Sequence, residues 1–334
     1  MNCRQTSFEE KRFVRTLLML LGMGFWLAGA LPAAGQFQQE ADLGDATVQK
    51  WQIGMIITAT GTCRAISGNV AVPDQWPEQS VEIVDEQIPP GVDVKYETMA
   101  GTLKQMIIKI TEMEAGEQAK VLVTFAVRRS MQLPPNNPAQ FVLPDARTLD
   151  RTMREYLKPS PYIESTNPKI KALARQIGAD APTAWQRVEA IYDWVRANVE
   201  YQDVPLKGAL KALEDGTGDC DELSSLFIAI CRAAGVPART VRVPNHCYPE
   251  FYLVDANGGG RWFPCQAAGD RAFGGMPDPR PILQKGDNIP FRDLGSRRLS
   301  RERFLPETLV GVPLVRGQIP RVQIICEQVE EQTP

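Results

Sequence analysis

A predicted helix, followed by a turn and a strand between residues 219 and 253, constrains the fold of this 334-residue chain more than any other feature. Asp219 is a residue type favoured at helix N-caps, and Gly235 is placed to end the helix. Between them, apolar side chains recur at helical spacing at Leu223, Leu226, Phe227 and Ile230. The pattern therefore predicts a buried helix with Cys220 at its amino end, leading through a Gly/Pro turn into an apolar strand.

Cys220 is a candidate nucleophile because of this position. Unpaired backbone N–H groups and the positive end of the helix dipole favour a thiolate there, although Asp221 and Glu222 oppose it. The chain contains one histidine, His246, and imidazole takes and returns protons near neutral pH. We therefore expect His246 to contribute most of the activation of Cys220. The alternative is that Cys220 is only a small buried side chain at a helix start.

The order of these motifs resembles the transglutaminase-like superfamily. The matching residues are Gly218-Asp219-Cys220, Arg232 with Gly235-Val236-Pro237-Ala238-Arg239, His246 with Tyr248 and Glu250, and Trp262-Phe263-Pro264. The resemblance covers about residues 150–275, and Tyr248 stands where the family usually has tryptophan. It implies a papain-like cysteine hydrolase or acyltransferase fold, with Cys220 as nucleophile and His246 as general base.

The third member of the family's site departs from the pattern. An aspartate normally falls four residues after the tryptophan of the second strand, and here that position is Gln266. A glutamine carbonyl accepts a hydrogen bond from imidazole and fixes its tautomer, but it does not stabilise an imidazolium by charge. We expect Gln266 to orient His246, with Asp255 and Asp270 as alternatives. The change predicts activity that is reduced or lost.

A hairpin is expected around Asn257-Gly258-Gly259-Gly260, because glycine and asparagine favour the turn between two strands. If His246 and Gln266 oppose each other in this antiparallel pair, Cys247 opposes Cys265. Directly opposed Cβ atoms lie near disulfide range. The register therefore predicts a Cys247–Cys265 disulfide behind the site.

No metal or nucleotide cofactor is expected. A zinc site formed by Cys220, His246, Cys247 and Cys265 is a weaker alternative, because adjacent strand residues point apart and the C-x-x-C knuckles of zinc sites are missing. The sequence also contains no phosphate-binding glycine loop.

Residues 1–35 have the pattern of a secretory signal peptide. Basic residues precede an apolar run from Thr16 to Leu31, and Ala33-Ala34-Gly35 supplies small residues for cleavage before Gln36. The alternative, a membrane anchor, is disfavoured because the run is short for a bilayer span. We therefore expect a secreted or periplasmic protein that has no stable membrane span after cleavage.

The charge of the chain does not favour nucleic acid as a partner. Loss of residues 1–35 removes four basic and two acidic side chains and changes the formal net charge from −3 to −5. The one basic patch, from Arg297-Arg298 to Arg303, is interpreted as a solvated surface loop. The expected partner at the site is a protein or peptide substrate.

The chain is long enough for two domains, and its pattern changes near residue 140. Residues 36–140 carry alternating or β-branched runs separated by turns and predict an antiparallel β-sandwich, which is a possible surface for a protein partner. Residues 141–275 form the transglutaminase-like core, with helices packed on an antiparallel sheet. Residues 276–334 form a loop and a β tail that complete the core. The predicted fold class is thus α+β.

Two functions of different class follow from the sequence. The first is a secreted thiol enzyme that cleaves or transfers acyl groups of protein or peptide amides through a Cys220 thioester, with hydrolysis favoured over transfer. The second is a catalytically reduced or inactive member that serves as a binding or scaffold module. The retained cysteine and histidine favour the first, and Gln266 favours the second.

Overall fold

Strands dominate the first third of the structure, a computed structural model that describes residues 42–99, 101–292 and 299–330. The strands are β1 Leu43–Thr58, β2 Cys63–Val72, β3 Gln79–Gln87, β4 Val92–Met99, β5 Leu103–Met113 and β6 Gln118–Gln132. Their residues alternate between buried and exposed where one face meets a core, as in β5. The predicted signal peptide, residues 1–35, lies outside the described residues.

Five helices follow in the middle of the described chain. They are α1 Arg151–Glu155, α2 Pro168–Gln176, α3 Ala184–Asn198, α4 Ala209–Asp215 and α5 Cys220–Ala233, with a short parallel pair formed by β7 Glu200–Tyr201 and β8 Thr217–Gly218. Asn167 caps α2 by accepting a hydrogen bond from the Lys169 backbone N–H at 2.9 Å. None of the helices in the described ranges has the length and apolar character that crossing a membrane requires.

The remaining chain is again built from strands. They are β9 Ala238–Val243, β10 His246–Val254, β11 Gly260–Pro264, β12 Gln284–Lys285, β13 Ile289–Arg292, β14 Leu299–Glu302, β15 Thr308–Pro313 and β16 Arg321–Val329. The C-terminal strands return to the beginning of the chain, since β16 pairs with β1 and β15 pairs with β2. The sequence predicts that residues 276–334 complete the transglutaminase-like core. Within this tail β12 pairs with β9, while β15 and β16 extend the two sheets of the N-terminal region.

Two antiparallel sheets pack face to face in the N-terminal region. One has the order β16-β1-β6-β3, and the other runs β11-β10-β9-β12-β5-β2-β15 with β4 also paired to β5. Ile53 and Met55 from the first sheet share a fully buried core with Ile66 and Ile108 from the second. The predicted α+β class, with a sheet-rich N-terminal region and helices on an antiparallel sheet, is confirmed.

The larger sheet continues from the sandwich into the helical region without a break. Gln284 of β12 pairs with Leu103 of β5 on one side and with Arg242 of β9 on the other. The described residues lie in one compact unit. A two-residue strand therefore provides the hydrogen-bonded connection between the two halves of the sheet.

Helix α5 lies at the centre of the second hydrophobic core. Its side chains Leu226, Phe227 and Ile230 are fully buried against β10 and β11, which contribute Phe251 and Phe263. Burial of side chains of this size stabilises the fold by roughly 2–3 kcal/mol each. The buried side chains that follow the first turn of α5 thus hold the helix that carries Cys220 in place.

The predicted register of the β10–β11 hairpin is wrong by two residues. Glu250 pairs with Pro264, so Cys265 lies across from Pro249 and donates its backbone N–H to the Pro249 carbonyl at 3.0 Å. The turn is set by Asp255, whose carboxylate accepts from the backbone N–H groups of Asn257 and Gly259, each at 2.8 Å. The turn is therefore centred on Asn257, one residue later than the predicted register requires.

The predicted Cys247–Cys265 disulfide is wrong for the same reason. In the observed register Cys265 is displaced by two positions from the residue opposite Cys247, and such a diagonal separation is too long for a bridge. Both cysteines are free and buried. Cys265 belongs to the core around α5, whereas Cys247 lies against the first turn of that helix.

Candidate active site

The first turn of α5 is fixed by a capping box. The Asp219 side chain accepts from the Asp221 backbone N–H at 2.7 Å, and Glu222 accepts from the Asp219 N–H in return. Gly218 is required immediately before the cap, because a Cβ there would lie 2.3 Å from the Cβ of Glu222. The Gly218-Asp219-Cys220 motif thus positions Cys220 as the first residue of the helix.

His246 is placed by a tight turn between β9 and β10. Val243 pairs with His246 across the turn, and Pro244 and Asn245 form its tip. Asn245 has φ +55°, a left-handed conformation that asparagine tolerates better than most residues. His246 therefore begins β10 at the sheet edge that faces the start of α5, where it is hydrogen-bonded to Cys220.

Gln266 lies at the position where the imidazole needs an orienting group. Its Oε1 is 3.1 Å from Nε2 of His246. The backbone carbonyl of Gln266 accepts from the Tyr192 hydroxyl at 2.8 Å and from Arg196 at 3.0 Å. The structure therefore brings Cys220, His246 and Gln266 together in the order that the sequence predicts.

The two alternative carboxylates occupy other places. Asp255 closes the β10–β11 turn through its contacts with Asn257 and Gly259. Asp270 is exposed in the segment after Gln266. The side chain that contacts His246 is thus the neutral amide of Gln266 and not a carboxylate.

Cys247 is a second thiol in the site, whereas the sequence predicts it behind the site in a disulfide. Its Sγ lies 3.4 Å from the backbone carbonyl of Cys220, 3.2 Å from Oδ1 of Asp221 and 3.7 Å from Oγ of Ser224. It is almost completely buried. Its position directly after His246 in the chain was the available sequence signal.

The pKa of Cys220 is lowered to about 4, in the first place by a hydrogen bond from the Cys247 thiol. Burial opposes the shift, while a hydrogen bond with His246 and the charge of its imidazolium support it. The expectation that His246 contributes most is therefore wrong, since the neighbouring thiol contributes more. Burial alone would lower the pKa of His246, but hydrogen bonds to Cys220 and Gln266 raise it above its ordinary value.

The two acids beside Cys220 oppose the thiolate less than their charges suggest. Burial and a hydrogen bond with Glu222 raise the pKa of Asp219 to about 7. Asp221 is paired with the Arg303 guanidinium, with a distance of 3.3 Å between Nη2 and Oδ1. The negative charge next to Cys220 is thus partly removed by a proton and partly balanced by a cation.

Arg303 lies under the site, where it is 2% exposed. It donates to the backbone carbonyl of Asp221 at 3.0 Å and to the hydroxyl of Ser225, and its Nη2 is 3.6 Å from Cys247 Sγ. The interpretation of the basic patch as a solvated loop is therefore wrong for Arg303, while Arg297 and Arg298 lie outside the described residues. An apolar residue, Leu305, follows Arg303 in the sequence and was a weak signal that this segment is buried. Leu305 is buried in the structure.

Cys220 and His246 open into a cleft of about 520 Å³. Charged side chains line one side, with Arg242 bound to Glu307 at 3.1 Å. Tyr162 and Leu206 line the cleft as well and are 40% and 41% exposed. The cleft therefore offers both charged and apolar contacts beside the thiol.

One group of potential metal ligands occurs among the described residues, formed by Cys220, Asp221 and Cys247 within 4.8 Å of one another. Arg303 contacts two of the three, so a cation would replace an existing guanidinium. The zinc site considered from sequence does not form, because Cys265 binds the Pro249 carbonyl in the core instead. The arrangement fits a stabilised thiolate better than a bound cation.

Residues 171–267 match the transglutaminase-like superfamily. A 95-residue segment is 32% identical to an uncharacterised protein of Haemophilus influenzae, and it spans 27% of this chain and 26% of that protein. Among solved structures, a candidate cysteine protease of Cytophaga hutchinsonii is 19% identical with a TM-score of 0.56, over 87% of this chain and 94% of that one. The periplasmic domain of TgpA from Pseudomonas aeruginosa is 14% identical with a TM-score of 0.31, over 67% and 93% of the two chains.

The family match agrees with the geometry of the site, since the matched segment contains α5, the β9–β10 turn and Gln266. The likeness to the Cytophaga hutchinsonii structure shows a shared fold over most of the chain. Residues 171–267 are therefore a transglutaminase-like core.

Proposed function

We propose that the protein is a thiol amidase or peptidase in which Cys220 is the nucleophile, His246 the general base and acid, and Gln266 the orienting group. The observation that carries the proposal is the lowered pKa of Cys220, about 4, at a helix start that opens into a substrate-sized cleft. A thiolate is the attacking form, and it is already present near neutral pH.

The reaction follows from the positions of the three side chains. The Cys220 thiolate attacks an amide carbonyl carbon and forms a C–S bond, and the imidazolium of His246 gives its proton to the leaving amine as the C–N bond breaks. Water then attacks the thioester, with His246 accepting its proton, and the acid leaves as the thiol is restored. Attack by an amine instead of water would form a new amide.

The helix start also supplies stabilisation for the oxyanion that forms during attack. The backbone N–H of Cys220 belongs to the first turn of α5, where N–H groups have no partner within the helix. The positive end of the helix dipole lies at the same place and favours negative charge.

The walls of the cleft support a peptide or protein segment as substrate. The cleft is open rather than enclosed, and its lining combines the charged residues Arg242, Glu302 and Glu307 with Tyr162 and Leu206. A polypeptide presents both charged and apolar side chains around an amide bond. Hydrolysis is favoured over transfer, as the sequence analysis expects.

The first test is turnover of fluorogenic peptide amides by the wild-type protein, by Cys220→Ala and by His246→Ala. We expect turnover to disappear in Cys220→Ala and to fall by roughly 100-fold or more in His246→Ala. Adding a primary amine at millimolar concentration distinguishes hydrolysis of the thioester from acyl transfer, since transfer gives an amide product that mass spectrometry detects. Turnover that persists in Cys220→Ala would rule out the proposal.

A second function is favoured by one observation, the neutral side chain at position 266. An amide hydrogen-bonds to His246 but does not balance the charge of an imidazolium. On this alternative, the protein keeps the fold as a binding or scaffold module, with the β-sandwich as its contact surface for a protein partner. Binding of a protein partner that persists unchanged in Cys220→Ala, by a protein that turns over no peptide amide, would favour it.

Secretion or export to the periplasm is part of the proposal and is supported by the sequence of residues 1–35 alone. Cleavage after Gly35 would leave Gln36 as the first residue. N-terminal sequencing of the protein from the culture medium or periplasm tests this directly. An intact N-terminus in the purified protein would contradict it.

A further inference from the structure

We propose that Cys220 and Cys247 form a reversible disulfide when a hydroperoxide oxidises the site, with Cys247 as the resolving cysteine. The inference rests on the ionised Cys220 of the proposed function, but it does not depend on which amide the site hydrolyses. It gives the second thiol of the site a role of its own, as a modification site that protects the nucleophile.

The geometry of the two thiols carries the proposal. The Sγ atoms of Cys220 and Cys247 and a carboxylate oxygen of Asp221 lie within 4.8 Å of one another. The sulfur of Cys247 also lies beside the backbone of Cys220, with Sγ 3.4 Å from the Cys220 carbonyl oxygen. The S–S bond of a disulfide is about 2.0 Å long, so a relative displacement of the sulfurs by less than about 3 Å forms the bond.

The two thiols differ in reactivity, which sets the order of events. Cys220 is ionised and opens into the cleft, so it is the thiol that an oxidant meets first. Burial raises the pKa of Cys247 well above the ordinary value, and the neighbouring Cys220 raises it further. Cys247 is therefore protonated and unreactive as long as Cys220 carries its negative charge.

Oxidation of Cys220 removes one cause of the raised pKa of Cys247. A sulfenic acid carries no negative charge, so the repulsion from Cys220 disappears, while burial and the carboxylate of Asp221 still oppose ionisation of Cys247. The guanidinium of Arg303, with Nη2 3.6 Å from Cys247 Sγ, then stabilises a thiolate at Cys247. The cation that lies under the site is thus placed to assist the attack of the second sulfur on the first.

The chemistry balances with one hydroperoxide. The Cys220 thiolate attacks the peroxide oxygen, an S–O bond forms, the O–O bond breaks and water or an alcohol leaves after protonation. The Cys247 thiolate then attacks the sulfenic sulfur, the S–S bond forms and the S–O bond breaks, with the hydroxide leaving as water. The two thiols lose two electrons and two protons, and the peroxide is reduced. An external dithiol reverses the step.

The other cysteines of the described residues provide matched controls. Cys231 and Cys265 are fully buried in the core around α5, and Cys63 is fully buried in the sandwich. Cys326 lies in β16, where it is partly buried. Cys326→Ser is therefore a cysteine deletion that leaves the proposed pair in place.

The test is peptide mapping of the wild-type protein after treatment with one equivalent of hydrogen peroxide. We expect a linked peptide containing Cys220 and Cys247, with complete loss of iodoacetamide labelling at Cys220 that dithiothreitol restores. Cys326→Ser should behave in the same way. In Cys247→Ser, treated with excess hydrogen peroxide because the second oxidation consumes a second equivalent, we expect Cys220 to progress to sulfinic acid, which dithiothreitol does not reverse.

The outcomes separate this inference from the proposed function. A wild-type protein in which Cys220 is oxidised to sulfinic acid while Cys247 stays a free thiol would overturn the disulfide, even if peptide amides are hydrolysed. A linked Cys220–Cys247 peptide in a protein that hydrolyses no amide would support it while the proposed function fails. A Cys220 that reacts with neither peroxide nor iodoacetamide would overturn both. Because the decisive measurement uses the wild-type chain, it does not depend on the folding of a variant.

Discussion

Cys220 and Cys247 lie side by side, yet their pKa values are shifted in opposite directions from the ordinary value of a thiol. A hydrogen bond from Cys247 lowers the pKa of Cys220 to about 4, and burial raises that of Cys247. One thiol thus acts as the hydrogen-bond donor that stabilises the other as an anion. At the scale of the residue, reactivity comes from a pair of cysteines rather than from a cysteine and a histidine alone.

Replacement of Cys247 by alanine removes this donor. We expect the pKa of Cys220 to rise by about one unit or more, because a hydrogen bond to the charged form is lost. The rate of alkylation by iodoacetamide, measured from pH 3 to pH 9, gives the pKa directly. Cys247→Ser is the matched variant, since its hydroxyl still donates, and it should shift the profile less. Identical profiles for the two variants would contradict the role of the donor.

Replacement of the amide at position 266 by a carboxylate tests the role of this residue. Gln266→Glu keeps the length of the side chain and adds a negative charge next to Nε2 of His246, which is 3.1 Å from Oε1 in the wild type. We expect the pKa of His246 to rise by about one unit or more and turnover to increase.

The measurement is simple because the chain contains a single histidine, so its imidazole proton resonance in NMR needs no assignment. Gln266→Ala serves as the opposite control and should lower the pKa of His246 by removing the hydrogen bond. Equal titration curves for Gln266→Glu and the wild type would mean that residue 266 does not contact the imidazole in solution.

The pH dependence of turnover follows from the two shifted groups. The thiolate is lost as the pH falls through the pKa of Cys220, at about 4, and the imidazolium is lost as the pH rises through that of His246, which lies above 6.5. We therefore expect a bell-shaped profile of kcat/KM between these limits. An acid limb near pH 8 or 9, typical of an ordinary thiol, would exclude a preformed ion pair.

At the scale of elements, a single side chain decides the register of the β10–β11 hairpin. The segment after Asp255 contains three consecutive glycines, so several turns are sterically possible. The carboxylate selects one of them by accepting from two backbone N–H groups at 2.8 Å. This selection separates Cys247 from Cys265, and Gln266 contacts His246 from a position two residues away from the predicted register.

Asp255→Ala should therefore destabilise the hairpin. Loss of two hydrogen bonds to a partly exposed carboxylate costs about 1–2 kcal/mol of the free energy of unfolding, which urea denaturation measures. Asn257→Ala, at an exposed position of the same turn, is the control and should change stability by less than about 0.5 kcal/mol. If both variants have the stability of the wild type, another contact fixes the turn.

At the scale of the whole molecule, a buried cluster of charges joins the sandwich to the helical region. Lys285 of β12 contacts Glu78 from the sandwich and lies 3.1 Å from Glu250 of β10, which also binds Arg239 at 2.7 Å. Glu250 is fully buried and Lys285 is 4% exposed. Burial would raise the pKa of Glu250, but Lys285 and Arg239 outweigh it and lower that pKa.

Lys285→Met should be severely destabilising, because it leaves Glu78 buried without its cation. Removal of one partner from a buried ion pair costs about 3–5 kcal/mol. Differential scanning calorimetry should show one transition at a lower temperature, since the continuous sheet makes both regions unfold together. Lys169→Met removes an exposed ion pair with Glu214 and should change stability by less than about 1 kcal/mol. A stable Lys285→Met protein would show that the cluster does not couple the regions.

The sequence predicts local features of this molecule better than the contacts between distant segments. The α5 helix with its Asp219 cap follows from short-range patterns, and the approach of His246 and Gln266 to Cys220 is what the transglutaminase-like resemblance implies. Cys247 and Arg303 do not, because their places at the site depend on a register and on a tail that returns to the start of the chain. Only the folded chain brings these residues together.

That return has a consequence for the order in which the site is completed. Arg303 contacts Asp221 from a segment that is 82 residues further along the chain and is followed by β15, which is paired to β2. A ribosome makes the helix with Cys220 well before it makes this arginine. During synthesis the thiol therefore lacks its buried cation, and it acquires its final environment only when the late strands have joined the early ones.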